Sequence, residues 1–410
     1  MSKLQELIQR LCPNGVEYKK LGEVCEVVIA PKKLNKKDYQ DTGLYPIIDQ
    51  GKSMIVGYTD NEEVLLPAKE YVLFGDHTRN IKYYNGAFAQ GADGLKILTS
   101  KDIVLARFLY YSMQCLVIED RGYNRHWTVV SPLLIPIPPL EVQEEIVRIL
   151  DRFSDYAAEL QAELQAELQA RKEQYEYYRN LLLTFNPAGC AGEADDEQEG
   201  SVTTRGGHSY PIQWKTMGEV GTFIRGNGLQ KKDFTESGVG CIHYGQIYTY
   251  YGTFTTETKS FVSEEFAKKL RKAQTGDLVI ATTSENVEDV GKAVVWLGKD
   301  EIAISGDAYV YKHNQNPRYI AYLLQTDRFL AFKRMNVSGT KVTRISGDSL
   351  AKYPIPVPPL ELQEKIVAIL DRFETLVNDL SEGLPAEIAA VKEQYEYYRN
   401  RLLTFKEKTA

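Results

Sequence analysis

One stretch of this chain keeps its apolar residues at steps of mostly three and four over some forty positions. Ile146, Leu150, Phe153, Ala157, Leu160, Leu164, Leu168, Tyr175, Tyr178, Leu182 and Phe185 form a single stripe, the mark of a helical coiled-coil seam. An equal stripe runs through Ile366, Leu370, Phe373, Val377, Leu380, Leu384, Ile388, Tyr395, Tyr398, Leu402 and Phe405. Pro138 and Pro139 suit the start of the first helix, where a missing N–H is harmless. Glu141, Glu144 and Glu145 load its first turn with charge that favours the helix dipole. The spacing predicts a helix from Leu140 to Phe185, ~65–70 Å long at 1.5 Å per residue. Gly383 and Pro385 interrupt the second stripe and predict a kink or short break near Glu382–Pro385. Two equal seams in one chain most simply pair with each other.

The stripes belong to a duplication. "IPIPPLEVQEEIVRILDRF" (Ile135–Phe153) returns as "IPVPPLELQEKIVAILDRF" (Ile355–Phe373), and "KEQYEYYRN" is identical at Lys172–Asn180 and Lys392–Asn400. "VEYKKLGEV" from Val16 is weakly echoed by "IQWKTMGEV" from Ile212. Between these anchors the halves share an order of elements and not their residues. Short β-rich runs ("YPIIDQG", "YVLFGDHTRNIKYYNG", "GLKILT") precede a helical run, "DIVLARFLYYSMQCL". In the second half "DLVIATTSENVEDVGKAVVWLG" and "EIAISGDAYVYKH" read as strands, and "PRYIAYLLQTDRFLAFKRMN" as helix. The fold class is α+β: two globular α/β domains separated by two long helices, with a pseudo-twofold internal repeat. The boundaries fall at 1–134 (first domain), 135–185 (first helix), 186–209 (a small and polar, flexible linker), 210–354 (second domain) and 355–410 (second helix).

Composition narrows the function by exclusion. No apolar run approaches the ~20 residues of a membrane span, and "MSKLQELIQRLCPNG" lacks the features of a signal peptide. Five cysteines with no C-x-x-C pair read as reduced thiols, so a cytoplasmic location with no membrane partner is expected. The chain has no phosphate loop, no G-x-S-x-G elbow, no H-E-x-x-H, and five scattered histidines at no metal-ligand spacing. A non-catalytic adaptor with no cofactor and no metal of its own is the expectation.

The net charge of −7 is not that of a generic nucleic-acid binder, but a whole-chain sum hides basic loops. In the first domain "PKKLNKKDY" carries Lys32, Lys33 and Lys36, "GDHTRNIKY" carries Thr78, Arg79 and Asn80, and "DRGYNRHW" carries Arg121, Asn124, Arg125 and His126. The second offers Arg225, Lys231 and Lys232 in "RGNGLQKKD", Ser284 in "TTSEN", and Thr340, Lys341, Thr343 and Arg344 in "SGTKVTRIS". These residue types contact phosphates and base edges. A solvated loop is the competing reading, strongest for "PKKLNKK". "DRGYNRHW" and "SGTKVTRIS" occupy matching places shortly before the shared "IPxPP" segment, as two equivalent binding surfaces would.

Duplicated helices with "IPxPPLExQxxIVxILDRF" and "KEQYEYYRN", closing two divergent domains, closely resemble the specificity subunit of type I restriction-modification enzymes over essentially the whole chain. The resemblance implies two target-recognition domains, each reading one half of a bipartite site in double-stranded DNA. It implies that the helices form an antiparallel intramolecular coiled coil, which spaces the domains and docks two modification subunits. The dock would include Gln143, Tyr175, Tyr178, Arg179, Gln363, Tyr395, Tyr398 and Arg399. The modification subunits would bring S-adenosylmethionine, and restriction subunits would join the full complex. Two alternatives stay open: a partner of a modification-only methyltransferase, and a coiled-coil scaffold for other proteins.

Within the first helix "AELQAELQAELQA" (Ala158–Ala170) repeats one four-residue unit. Each unit adds one helical turn, ~6 Å. The resemblance makes the repeat a candidate ruler for the gap between half-sites.

Overall fold

The computed structural model describes residues 2–91, 93–185, 200–203, 209–339, 341–378 and 383–408. Seven helices matter below: α1 (Lys3–Leu11), α2 (Ala106–Gln114), α3 (Leu140–Leu183), α4 (Pro317–Leu323), α5 (Asp327–Asn336), α6 (Leu360–Asn378) and α7 (Leu384–Leu402). The chain forms two compact units. One comprises Met1–Gln165 with Glu387–Ala410, the other Ala166–Ala386. The boundary cuts α3 inside the "AELQ" repeat and leaves most of α7 with the first unit, so each unit is completed by residues from the far copy of the helix motif.

In the first unit, a six-stranded sheet runs in the order Cys25–Val28, Leu95–Ser100, Leu65–Gly75, Ile81–Gln90, Tyr45–Ile48, Gly57–Thr59. All neighbours are antiparallel except Tyr45–Ile48, which lies parallel to the end of Ile81–Gln90 with Ile47 opposite Ala89. Phe108, Leu109 and Met113 of α2 share one buried cluster with Val72 and Phe74 of the sheet and with Val142, Ile146 and Leu150 of α3. The echo segment Glu17–Lys20 pairs antiparallel with Leu134–Ile137, Glu17 facing Ile137. This pairing explains why "VEYKK" and "IPIP" are duplicated together: each is half of one ribbon. α1, absent from the sequence expectations, is started by a reciprocal cap between Ser2 and Gln5, a signal legible as S-x-x-Q. Tyr398 of α7 stacks on Phe153 at 5.8 Å, and Leu403 further along joins the cluster of Ile146 and Leu150. The two helices therefore run antiparallel in this unit.

The second unit repeats the plan with one change. Gly221–Arg225, Ala308–His313, Leu278–Ala281 and Ala293–Trp296 follow each other as the first four strands of the other sheet do. The work of the single long strand Ile81–Gln90 is divided here. Ala293–Trp296 pairs with Leu278–Ala281, while Ile302–Ile304 supplies the parallel partner of Val239–Ile242, Cys241 opposite Ala303. Ser209–Thr216 pairs with Pro354–Val357 and also with Gly200–Thr203. The predicted linker thus contains a strand, and 186–199 and 204–208 lie outside the described residues. The predicted helix over 317–336 is two helices. Thr326 ends the continuity by accepting from Phe329 N at 3.3 Å as the cap of α5. At the predicted break, α6 ends at Asn378 and α7 starts at Leu384 with Pro385 in its first turn, where proline is tolerated. Residues 379–382 lie outside the described set. Phe373 of α6 stacks on Tyr178 at 5.6 Å and lies 6.4 Å from Tyr175.

Gln143 and Gln363 hold α3 and α6 to their domains. Gln143 accepts from Leu105 N (2.9 Å) and donates to the carbonyls of Ile103 (2.9 Å) and Pro138 (2.7 Å). Gln363 accepts from Asn316 N (3.0 Å) and donates to Gln315 Oε1 (2.8 Å) and the Pro358 carbonyl (2.8 Å). Both are completely buried. Gln143→Leu, which keeps the volume, leaves these groups unpaired and should lower stability by about 3 kcal/mol. Urea unfolding and amide exchange at Leu105 check this; unchanged protection of that amide would remove Gln143 from the account.

Candidate nucleic-acid interface

In the first unit two of the three predicted clusters are joined through one residue that the sequence did not single out. Gln50 follows strand Tyr45–Ile48. Its carbonyl accepts from Thr78 Oγ1 (2.5 Å) and Asn80 Nδ2 (3.0 Å). Its side chain accepts from His77 N (3.1 Å) and donates to the Asp93 carbonyl (3.0 Å). Asp93 in turn is paired with Lys33 at 2.5 Å. That lysine, helped by Arg125, holds the Asp93 carboxyl below the usual carboxylate range. Gly94 has φ +93°, and a Cβ there would sit 2.6 Å from the Gln50 amide, so the glycine permits the hub.

Asp76, 2% exposed, joins the third cluster to these. Its carbonyl receives His126 N (2.8 Å) and His126 Nδ1 (2.9 Å), and its carboxylate caps Trp127 N (2.7 Å). His126 Nε2 accepts from Arg121 N at 3.3 Å, which fixes the proton on Nδ1. Arg79 takes the left-handed region, φ +62°, and reaches Asp120 (2.7 Å) and the Ile118 carbonyl (3.1 Å).

Several candidates are therefore framework. Correcting the expectation for His126, its full burial keeps it from any DNA contact. Thr78, Arg79 and Asn80 fasten the loops with part of their polar groups and remain exposed or half-buried. Lys32, Lys36, Arg121, Asn124 and Arg125 stand exposed on the loops so fixed. Asn124 Nδ2 folds back on the Arg121 carbonyl at 2.5 Å.

The second unit holds its clusters together by different bonds. "TTSEN" and "SGTKVTRIS" form a short ladder, Thr283 opposite Arg344 and Ser284 opposite Thr343. Asp307 accepts Thr282 N (3.0 Å) and Thr282 Oγ1 (3.0 Å) on its carbonyl. Arg225 Nε donates to the neighbouring Gly306 carbonyl at 3.0 Å. Lys231 lies close enough to buried His243 to add to the effect of burial in lowering the imidazole pKa. Thr343 is 9% exposed, so its role is in the ladder. Arg225, Lys231, Lys232, Lys341 and Arg344 are exposed, Ser284 half-buried, and Thr340 lies outside the described residues. The turns Lys36–Asp38 and Lys231–Asp233 are equivalent, each bonded back by its aspartate to the residue before it. "LNKKDY" and "LQKKDF" are thus a repeat visible in the sequence once aligned.

Each unit therefore presents exposed cations on loops fastened to a rigid sheet, the arrangement that reads phosphates and groove edges. The family model for the type I restriction modification DNA specificity domain matches residues 13–170 and 211–390. The chain belongs to this family. It is 30% identical to the specificity subunit of the type I restriction enzyme EcoR124I/EcoR124II of Escherichia coli, over 99% of this chain and 98% of that one. It is 29% identical to a putative type I specificity subunit of Haemophilus influenzae, over 96% of both. A chain from a solved structure of a type I restriction-modification system shares the fold at TM-score 0.61 and 17% identity, covering 96% and 98% of the two chains. The protein is a DNA sequence-specificity subunit, a non-catalytic part of such a system.

On this specificity subunit the implied docking residues divide sharply. Gln143 and Gln363 are fully buried and Tyr175 is 6% exposed, so these three pack inside their units and offer no docking surface. Arg179 reaches Gln325 (3.4 Å) and Arg399 reaches Gln114 (3.3 Å), and Tyr395 is half-buried. Tyr178 and Tyr398 remain partly open beside Tyr177 and Tyr397, which are 62% and 58% exposed. The off-seam tyrosine of "YEYY" was the signal for an outer face.

Beyond the "TTSEN" ladder, Lys333 of α5 reaches under the loop to the carbonyls of Glu288 (2.7 Å) and Val290 (2.8 Å). Burial pulls its ammonium down to about 8, against Asp289 and Glu288, which favour the charge. The unfolded chain holds this proton up to about 10.5, so it binds more protons than the native state between those values, and stability rises with pH there. Relative to Lys333→Met, the wild type should gain up to about 3 kcal/mol from pH 8 to 10.5. Parallel denaturation curves test this; a difference independent of pH would mean the amine is not desolvated.

Proposed function

We propose that each domain of this specificity subunit reads one half of a bipartite site in double-stranded DNA. The helices space the two domains and dock two modification subunits. The reading is supported above all by one observation: in both units the basic loops converge on matching edges of the same sheet plan. S-adenosylmethionine belongs to the modification subunits, with none bound by this chain, and restriction subunits complete the cutting complex. The cytoplasm is the proposed location; among the described residues no helix is long and apolar enough to cross a membrane. For docking, the exposed tyrosines Tyr177, Tyr178, Tyr397 and Tyr398 are the proposed contacts.

The exposed cations should act as phosphate contacts. Arg125→Ala and Lys231→Ala should each weaken DNA binding of the assembled complex similarly on all sequences and reduce the salt slope by about one. Binding titrations across a salt series measure this, and an unchanged slope for both would count against these loops as the interface.

The "AELQ" repeat should set the half-site gap. In α3 its leucines advance about 40° per unit around the helix, because four residues overshoot a 3.6-residue turn. Removing one unit shortens the helix by ~6 Å, or about one or two base pairs of B-DNA. Methylation sequencing of DNA from cells carrying the intact or shortened chain with its modification subunit is the test. A split motif with a narrower gap and the same half-sites is expected. An unchanged gap would sink the ruler, and no motif at all would sink the DNA-reading role.

A further inference from the structure

The second unit contains a cavity of about 850 Å³ lined by none of the exposed loop cations or proposed docking tyrosines named above. Its walls come from the last turns of α3, the loop around Tyr250, the start of α5 and the end of α6. Two buried polar atoms on these walls, Tyr175 Oη and Arg179 Nε, have no hydrogen-bond partner among the described residues. Buried polar atoms are nearly always paired. In the identical "KEQYEYYRN" copy of the first unit Arg399 Nε donates to Asn400 Oδ1 at 3.3 Å, so the motif does not by itself leave that atom unpaired. In the second unit the Arg179 guanidinium lies over the Tyr175 ring at 5.1 Å. There Glu374 takes the place of Ser154, and its carboxylate accepts from Tyr322 (2.6 Å) and Thr253 (2.5 Å).

The charges around the cavity are equally uneven in what they leave free. Asp327 accepts from Asn180 at 3.0 Å, and Glu288 is paired with Arg334 at 3.6 Å. Lys172 and Lys292 line the same space, and neither makes an ion pair or a side-chain hydrogen bond among the described residues. Glu176 is the acidic lining residue left without one. By charge the lining is balanced, Lys172, Arg179, Lys292 and Lys333 against Glu176, Glu288, Asp327 and Glu374, but Tyr175 Oη and Arg179 Nε are buried donors with no partner among the described residues.

We propose that this cavity binds a phosphate group through Tyr175 Oη, Arg179 Nε, Lys172 and Lys292. A phosphate presents several acceptor oxygens at once, enough to serve four donors on the walls of one cavity, where a carboxylate presents two. The occupant is either a free phosphorylated small molecule or a phosphate of the DNA backbone. The site itself does not depend on the assignment of the reading loops.

The test is calorimetric titration of the full chain, in chloride buffer at constant ionic strength, with sodium pyrophosphate. Wild type should bind saturably, and Tyr175→Phe should bind about tenfold more weakly, the loss of one hydrogen bond to a charged group. Without pyrophosphate, Tyr175→Phe should melt no lower than wild type, because it removes an unpaired hydroxyl and keeps the ring. Lys292→Ala, an exchange away from the helix packing, should also weaken binding. A parallel DNA titration separates the sources. With a backbone phosphate as occupant, pyrophosphate competes with DNA and Tyr175→Phe lowers DNA affinity; with a free ligand, DNA affinity is unchanged while pyrophosphate still binds. No saturable binding by wild type, or wild-type binding by both variants, overturns the proposal.

Discussion

Apolar residues seat each long helix on its domain, Val142, Ile146 and Leu150 in α3 and Ile366 and Leu370 in α6, and in both halves of this protein a single carboxylate adds the directional contact that fixes the register. Asp151 of α3 accepts from Arg107 (2.7 Å) and Tyr111 (2.6 Å) of α2. Asp371 of α6 accepts from Arg318 (2.5 Å) and Tyr322 (2.7 Å) of α4. The hydrogen bonds are charge-assisted and partly shielded from water, the conditions under which they are strong. Burial, followed by the bond to Asp151, raises the Tyr111 hydroxyl pKa, so that group stays a donor. Gln143 and Gln363, two helical turns earlier, fix the second point of each attachment. Two points define both the axis and the rotation of a helix on the domain that holds it.

This attachment separates two tasks. The frame (ribbon, sheet order, anchoring helix, carboxylate clamp) is repeated, while the loops it carries are free to differ. The first domain ties its loops through the Gln50 carbonyl and Asp76; the second does so through a two-residue ladder and Asp307. Different bonds at matching edges of one sheet plan are what a protein needs if its two surfaces are to recognise different sequences. The acidic total charge is compatible with that task, because the cations are concentrated where the frame exposes them.

Much of this architecture was legible because it rests on periodicity and repetition. The long helix, its proline start, the break near Pro385 and the succession of β-rich runs before a helical run all follow from local patterns. The expectation that the halves share no residues between their anchors fails for a physical reason. R-x-x-x-Y-x-x-Q occurs at Arg107–Tyr111–Gln114 and at Arg318–Tyr322–Gln325, but its three residues matter only through partners far off in the chain: Asp151 and Arg399, Asp371 and Arg179. No local pattern announces them. The same limit explains the site. Residue type marked Thr78, Arg79, Asn80, His126 and Thr343 as suited to DNA, yet the same donors and acceptors serve equally well to hold loops together. Only the fold decides which use each one has.

The composition of the first unit has a consequence for how the protein is made. Strand Glu17–Lys20 is closed by late residues: Tyr18 donates to the Phe405 carbonyl (2.9 Å), and Val16 exchanges backbone bonds with Lys406 and Lys408 (both 2.9 Å). Tyr18 and Phe405 are 387 positions apart, a delay of about 20–80 s at a synthesis rate of ~5–20 residues per second. The second unit, Ala166–Ala386, is one continuous piece of chain and has all its residues before Glu387 is added. The half that leaves the ribosome first is therefore the half that is finished last. Until then the ribbon edge at Val16 and the apolar pocket that receives Leu403 stand open in the nascent protein. The wait does not make the closure itself costly: once the second unit has folded, a rigid body replaces most of the intervening loop, and the entropy of joining its ends falls with the length that remains flexible.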